Sequence, residues 1–423
     1  MKLNKSKTMS VVAIAAALLT LGAGAAQAAN WYVDPAGNDS NTCTAAGPTN
    51  ACKTIMGAVT KASANDTINV AIGLYNEQVQ IGKTLTLLGA QNGVDARTRS
   101  GSESTIDNAC GPVQIMADKV VIDGFTIQGS TMSDPCFLAG IWTNPGFSGT
   151  HGGHQILNNI IQNNISGIEL DNDGTFATKV QGNLIQNNNN PGPGAGNGIQ
   201  VNFGLANALI DNNKFLGHTN SSFLIGGVPS SGITASNNEL VGGTAERIVW
   251  GNVSNSTITG NTSVGSTATN GPVRLFGGNS NIAITNNVLK NGIRGIKVDN
   301  LFAPNSGVTA HNNCLVGNTV AGLEVPATGH TGTLDAKNNW WGAASGPKYN
   351  GAGPGTGDNI IDADGVVAYI PFLTSTTGTP CAPPPIGPPT NANQCKNDGW
   401  KTFNTPRTFK NQGDCIQYVN TGK

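Results

Sequence analysis

Charge is scarce in this chain: only 11% of its 423 residues are Asp, Glu, Lys or Arg, against about 25% in ordinary soluble domains. Aromatics reach only 5%, so any large core must be built from Ile, Val, Leu and Ala. No basic stripe is present and the formal net charge is −1, which excludes nucleic acid as the main partner. Beyond the first thirty residues no apolar run is long enough to span a bilayer. The abundant residues are Asn and Gly, the latter at 57. Both weaken helix interiors and favour tight turns, so short strands between many turns are expected.

The N-terminus differs from the rest. Lys2, Lys5 and Lys7 precede an apolar run from Val11 to about Leu21, and Ala26-Gln27-Ala28 supplies a small-x-small cleavage pattern. These are the parts of a secretory signal peptide over residues 1–28. Without its three lysines, the chain carries 20 basic against 24 acidic side chains. Eight cysteines in an exported chain read as disulfides. Local pairing would join Cys43 to Cys52, Cys110 to Cys136 and Cys395 to Cys415, leaving Cys314 with Cys381, although spacing alone does not fix connectivity.

An internal repeat dominates the middle of the chain. Apolar residues alternate up to an Asn turn in Ile156-Leu157-Asn158-Asn159-Ile160, and the pattern returns through Ala336-Lys337-Asn338-Asn339. The aligned Asn are 159, 183, 213, 238, 261, 287, 313 and 339, and Gly89 and Gly124 mark earlier turns of the series. A period near 25 residues, holding two or three short strands, fits one coil of a parallel β-helix. Each coil then satisfies the backbone groups of the next. An inward Asn at a constant turn would bond its neighbours above and below, giving a ladder through about ten coils.

These repeats resemble those of the right-handed parallel β-helix proteins of the pectin-lyase-like superfamily, over roughly residues 31–373. The ends agree. Lys53 to Ala62 has helical apolar spacing and suits a short helix covering the first coil. The strands after it resemble the first rung of such proteins, pectinesterases included. Asn338-Asn339-Trp340-Trp341-Gly342 resembles a terminal coil, with the two Trp sealing its open end. The expected fold is thus all-β: a parallel β-helix over 29–373, a Pro/Thr/Gly-rich linker over 374–394, and a small Cys-paired module over 395–423. That module reads equally as an attachment unit for an anionic surface or glycan and as a cap or export tag.

After each Asn turn comes a strand that often begins Gly-aliphatic, and those strands would stack into one sheet. With the aliphatics inward, period two turns out Trp142, Glu169, Gln200, Leu224, Val249, Arg274, Lys297 and Glu324. Two clusters lie in this column. The first is Glu169, Asp171 and Asp173, flanked by Trp142, Asn144, Gln200 and Asn202. Two carboxylates ~6–7 Å apart on one strand face suit acid and base catalysis on a glycoside, with the like charges raising one pKa. The oxygens of Asp171 and Asp173 equally suit Ca²⁺, and a solvated acidic turn is the plainer alternative. Trp142 would offer a stacking surface for a sugar.

The second cluster is Arg274, Lys297, Asp299 and Glu324, with Phe276 alongside. The superfamily resemblance implies a basic residue abstracting a proton beside a uronate carboxylate, a role for which Lys297 is the candidate; a surface ion pair with Glu324 is the alternative. Four coils separate the clusters, ~19 Å, so they bracket a groove rather than form one reaction centre. Polygalacturonase motifs are not matched: the chain has no Asn-Thr-Asp and no Asp-Asp, and the pectinesterase likeness ends after the first rung. The reading is a secreted β-helix that binds, and is a candidate to cleave, an extracellular polysaccharide. Lyase and hydrolase both remain open. The rival is a non-enzymatic surface or adhesion protein using the β-helix as a rigid scaffold.

Overall fold

A computed structural model describes residues 28–132, 136, 138–144, 151–382, 387–403 and 405–422. The expected signal peptide lies outside the described residues except for Ala28. Parallel pairing dominates: one sheet has 25 strands and a second has ten. The chain is a parallel β-helix, and the ten-stranded sheet alone counts out the ten coils expected.

Each coil carries three strand rows. In the coil starting at Ser166, the first row holds Ser166–Glu169, the second the end of Asn172–Gln181, and the third Leu184–Gln186. The first two rows merge into the larger sheet because Asn172–Gln181, Ser221–Ser236 and Glu246–Thr259 run on after the bend that follows the first row. The core is a set of columns along the axis. In the first row Ile141, Ile168, Ile199, Phe223, Ile248, Val273, Ile296, Leu323 and Ile360 are successive register partners. All are buried.

The corner between the second and third rows explains the Asn-Asn doublets. The first residue of each doublet adopts the left-handed conformation, with φ of 51° at Asn158, 56° at Asn212, 54° at Asn237 and 57° at Asn286, Asn312 and Asn338. Gly182 and Gly260 take that place in the other two coils, at 69° and 67°. Only Gly, Asn and Asp enter this region readily. Asn286→Ala is therefore expected to cost about 1 kcal/mol and Asn286→Gly close to nothing, measured as a difference in denaturant midpoints.

The second residue of each doublet is the expected ladder. All eight aligned Asn are buried. Asn183 Nδ2 donates to Asn213 Oδ1 at 2.9 Å, and the same contact repeats from Asn213 to Asn238 at 3.1 Å and from Asn238 to Asn261 at 2.9 Å. It continues to Asn339. From Asn183 onward each Oδ1 also accepts from the backbone N–H of the preceding coil's Asn, as Asn238 Oδ1 does from Asn213 at 3.0 Å. Shorter ladders that the spacing did not reveal occupy other corners: Asn164 to Asn188 at 3.0 Å, and Asn279 to Asn305 at 2.8 Å. Gly124 lies in the left-handed region one position before the ladder site, where Phe125 N donates to Asn159 Oδ1.

The ends close as expected. Ile55–Lys61 is a helix whose N-cap, Thr54, accepts from Gly57 N, and it buries Ile55, Ala58 and Val59. Glu77 accepts from the N–H groups of Ile55 and Met56, so the free helix end has partners. Trp341 is fully buried against Gly322 in the last turns of the core, while Trp340 stays half-exposed. All four disulfides follow the local pairing. They fit an oxidising compartment. Cys314 to Cys381 ties the start of the Pro-rich segment to a coil of the helix. The C-terminal module has its own core, made of Cys395, Cys415, Phe403 and Phe409. Among the described residues no helix is long and apolar enough to cross a membrane.

Candidate functional site

The outward column of the first row has the predicted register throughout. Trp142 pairs with Glu169, Glu169 with Gln200, Gln200 with Leu224, Leu224 with Val249, Val249 with Arg274, Arg274 with Lys297, and Lys297 with Glu324. The two clusters are thus four coils apart, as the sequence implied.

Exposure departs from the simple picture. Glu169 is 1% exposed and Asp171 0%, so the acidic pair is covered, not a solvated turn. Glu169 Oε2 accepts from Asn202 Nδ2. Asn202 Oδ1 accepts from Gln200 Nε2 at 2.8 Å, and Gln200 Oε1 from Asn197 Nδ2 at 2.7 Å. Half-exposed Gln200 and Asn202 therefore screen the carboxyl from solvent. Asp171 Oδ1 accepts from the backbone N–H groups of Asn202 at 3.0 Å and Phe203 at 2.8 Å. Those donors are available because the next coil carries two extra residues, Phe203 and Gly204, between its first and second rows: Asn172 pairs with Leu205.

The two carboxyls therefore sit in different fields. Burial first, and then the charge of Asp171, pushes the Glu169 carboxyl up to about 8. Burial also raises Asp171, while the N–H groups of Phe203, Asn202 and Gly204 pull it back. Glu169 therefore favours its protonated form at neutral pH, and the backbone N–H groups favour charge on Asp171 relative to Glu169. Ser166 is a second side chain that bonds the Glu169 carboxyl, and nearby Asn144 Oδ1 and Gln114 Nε2 are buried without a partner among the described residues. Protonation gives Oε1 a hydrogen to donate and avoids burying a second bare charge.

Asp173 does not join this pair. It is exposed, and its Oδ1 accepts from Thr175 N within its own loop at 2.8 Å. It borders a groove of about 370 Å³ lined by Asn172, Phe203, Gly204, Pro229 and Asn252. Asp171 turns one oxygen to backbone donors of the next coil, and Asp173 accepts from the backbone of Thr175. Among the described residues no group of three His, Cys, Asp or Glu is arranged to hold a metal.

The second cluster is larger than expected and internally neutral. Arg274 bridges Asp299 Oδ2, at 3.0 Å from Nη2, and Glu246, at 3.3 Å from Nη1. Arg294 Nε donates to Glu324 Oε2 at 2.5 Å. Lys297 Nζ donates to Asn270 Oδ1 at 2.8 Å and lies 3.4 Å from Asp299 and 4.0 Å from Glu324. Lys297 is held among carboxylates instead of standing free as a base. Three cations meet three carboxylates, of which Glu246 and Arg294 were not anticipated. Phe276 is buried, 5.6 Å from the Arg274 guanidinium and 5.1 Å from Phe302.

No family profile matches the chain and no curated protein aligns with it. Among solved structures it is similar to a pectate lyase at 13% identity, covering 67% of this chain and 75% of that one, with a TM-score of 0.43. A lacto-N-biosidase from Eubacterium ramulus shows 9% identity, coverage of 81% and 67%, and a TM-score of 0.44. A mannuronic-acid-specific lyase from human gut microbiota shows 12% identity, coverage of 85% and 95%, and a TM-score of 0.39. Likeness this distant says nothing of activity. Function must be argued from the site.

Proposed function

We propose that this is an exported glycan-binding β-helix whose ligand lies along the outward column of the first strand row. The observation carrying this reading is that column itself: half-exposed Trp142 stands on the coil before Glu169, half-exposed Gln200 and Asn202 on the coil after it, and an exposed aromatic, Phe302, lies further along the same face against Gly227 and Gly251. Aromatic faces with adjacent amide groups are the usual makings of a sugar surface, one part taking the apolar face and the other the hydroxyls. The leader-like N-terminus and the four disulfides support export.

One observation favours hydrolysis as a second step. Glu169 is pushed up to about 8 and Asp171, just beyond the end of the same strand, accepts from backbone N–H groups; two carboxyls in unlike surroundings, one suited to donate a proton, are what glycoside hydrolysis uses. The screen of Gln200 and Asn202 must then move when substrate arrives. Lyase chemistry through Lys297 has less support, because that ammonium is already engaged by Asn270 and Asp299.

The test is a glycan panel scored for binding and, by mass spectrometry, for products, using the parent, Trp142→Ala and Glu169→Gln. Binding is expected to fall about tenfold in Trp142→Ala. If cleavage occurs, Glu169→Gln should slow it by ~10²–10⁴-fold while still binding. Binding without products would support the scaffold role and remove the hydrolytic step. A parent that retains no glycan would contradict the whole reading.

A further inference from the structure

Between the acidic pair and the ion-pair network the outward face is apolar and flattened by glycine. Gly226 pairs with Gly251, two residues beyond Leu224 and Val249 of the outward column. A Cβ on Gly251 would lie 2.7 Å from the Phe276 ring and 3.0 Å from Phe302, and one on Gly227 would lie 2.5 Å from Phe302. Glycine at these places is what lets the Phe302 ring lie against the backbone. Phe276 supports one side of it, at 5.1 Å and 53°. The ring is nevertheless 51% exposed. It is a supported aromatic surface open to solvent, three coils from the coil of Glu169, ~14 Å by the strand spacing.

The charges around this surface restrict what it takes. Arg274, Lys297 and Arg294 are each bonded or close to Glu246, Asp299 or Glu324, leaving the network without a surplus positive charge. At the other end stand Asp171 and exposed Asp173. A polyuronate or sulfated chain would gain no unpaired cation and would meet these carboxylates.

Resting on the proposed glycan reading, we infer that the ligand is a neutral glycan and that Phe302 is its stacking platform, about three coils along the axis from Glu169. The chain runs parallel to the helix axis, with one ring on Phe302 and another beside Gln200 and Trp142. Specificity arises from an apolar floor with paired charges at its edge, not from recognition of an acidic sugar.

The experiment is affinity electrophoresis of the full chain in gels carrying a neutral glycan (xylan, galactomannan or mixed-linkage glucan) or an acidic one (polygalacturonate or alginate). The variants are Phe302→Ala and Phe302→Trp, with melting temperatures to confirm folding. Retention by at least one neutral glycan is expected, weakened about tenfold or more in Phe302→Ala and kept in Phe302→Trp. Retention by the acidic glycans alone would overturn the inference while leaving the glycan reading standing. Neutral retention unchanged in Phe302→Ala would overturn the platform. No retention of the parent on any gel would overturn both.

Discussion

Asn238→Ala is expected to destabilise the β-helix by roughly 3–5 kcal/mol, although the substitution removes no apolar surface from the core. Asn238 sits mid-ladder and is 2% exposed. Its Nδ2 donates to Ile210 O and Asn261 Oδ1, both at 2.9 Å, and its Oδ1 accepts from Asn213 N at 3.0 Å and from Asn213 Nδ2 at 3.1 Å. Alanine leaves the Ile210 carbonyl and the Asn213 N–H buried without partners, each costing ~1–3 kcal/mol. Denaturant unfolding of the variant beside Asn286→Ala separates the two members of the doublet. A similar small loss for both would contradict the ladder as a main stabiliser. Should unfolding proceed through partly unwound states, as solenoids permit, the loss would appear first in the coils around Asn238.

Glu169→Gln is expected to change how stability depends on pH. The folded carboxyl, at about 8, lies above its ordinary value near 4.3. Between those values the folded state holds a proton that the unfolded state has released, so stability falls as pH rises through this window. The limiting slope is about 1.4 kcal/mol per pH unit. His154 and His218, buried and pushed down to about 4, act the opposite way: they cost stability as pH falls below about 6.5. Between pH 6.5 and 8 the slope therefore belongs mainly to Glu169. Glutamine keeps the shape without the titration, so the variant should be flatter with pH and more stable than the parent at pH 8. Parallel curves for the two proteins would place the Glu169 pKa near its ordinary value.

Much of this fold was legible because a β-helix repeats its own constraints. Gly-aliphatic starts such as Gly167-Ile168 and Gly295-Ile296 set the phase of each first-row strand, and period two then placed Trp142, Glu169, Arg274 and Lys297 in one outward column. The ladder was legible from regular steps between Asn. Its partner in each doublet was not separated from it: a left-handed Asn and a buried Asn look alike in sequence, and only Gly182 and Gly260, substituting at the first place alone, distinguish them.

The local environment of the site was harder to read. Glu169 is outward yet buried, because Asn202 and Gln200 on the next coil fold over it. The bulge of Phe203 and Gly204 that supplies N–H groups to Asp171 is an irregularity that period counting cannot resolve. Glu246 and Arg294 lie at the start of their strands, three residues before the column positions of Val249 and Lys297. A strict alternation excludes them from the outward face. Their side chains nevertheless reach the column across neighbouring coils, Glu246 to Arg274 and Arg294 to Glu324.

The central claim is that the buried Glu169 carboxyl is a protonated acid at neutral pH. Infrared difference spectroscopy between the parent and Glu169→Gln, titrated from pH 5 to 10, tests it most directly. The expected result is a carboxylic-acid carbonyl band at pH 7 that is missing in the variant and gives way to carboxylate around pH 8. A Glu169 signal already fully carboxylate at pH 6 would contradict it.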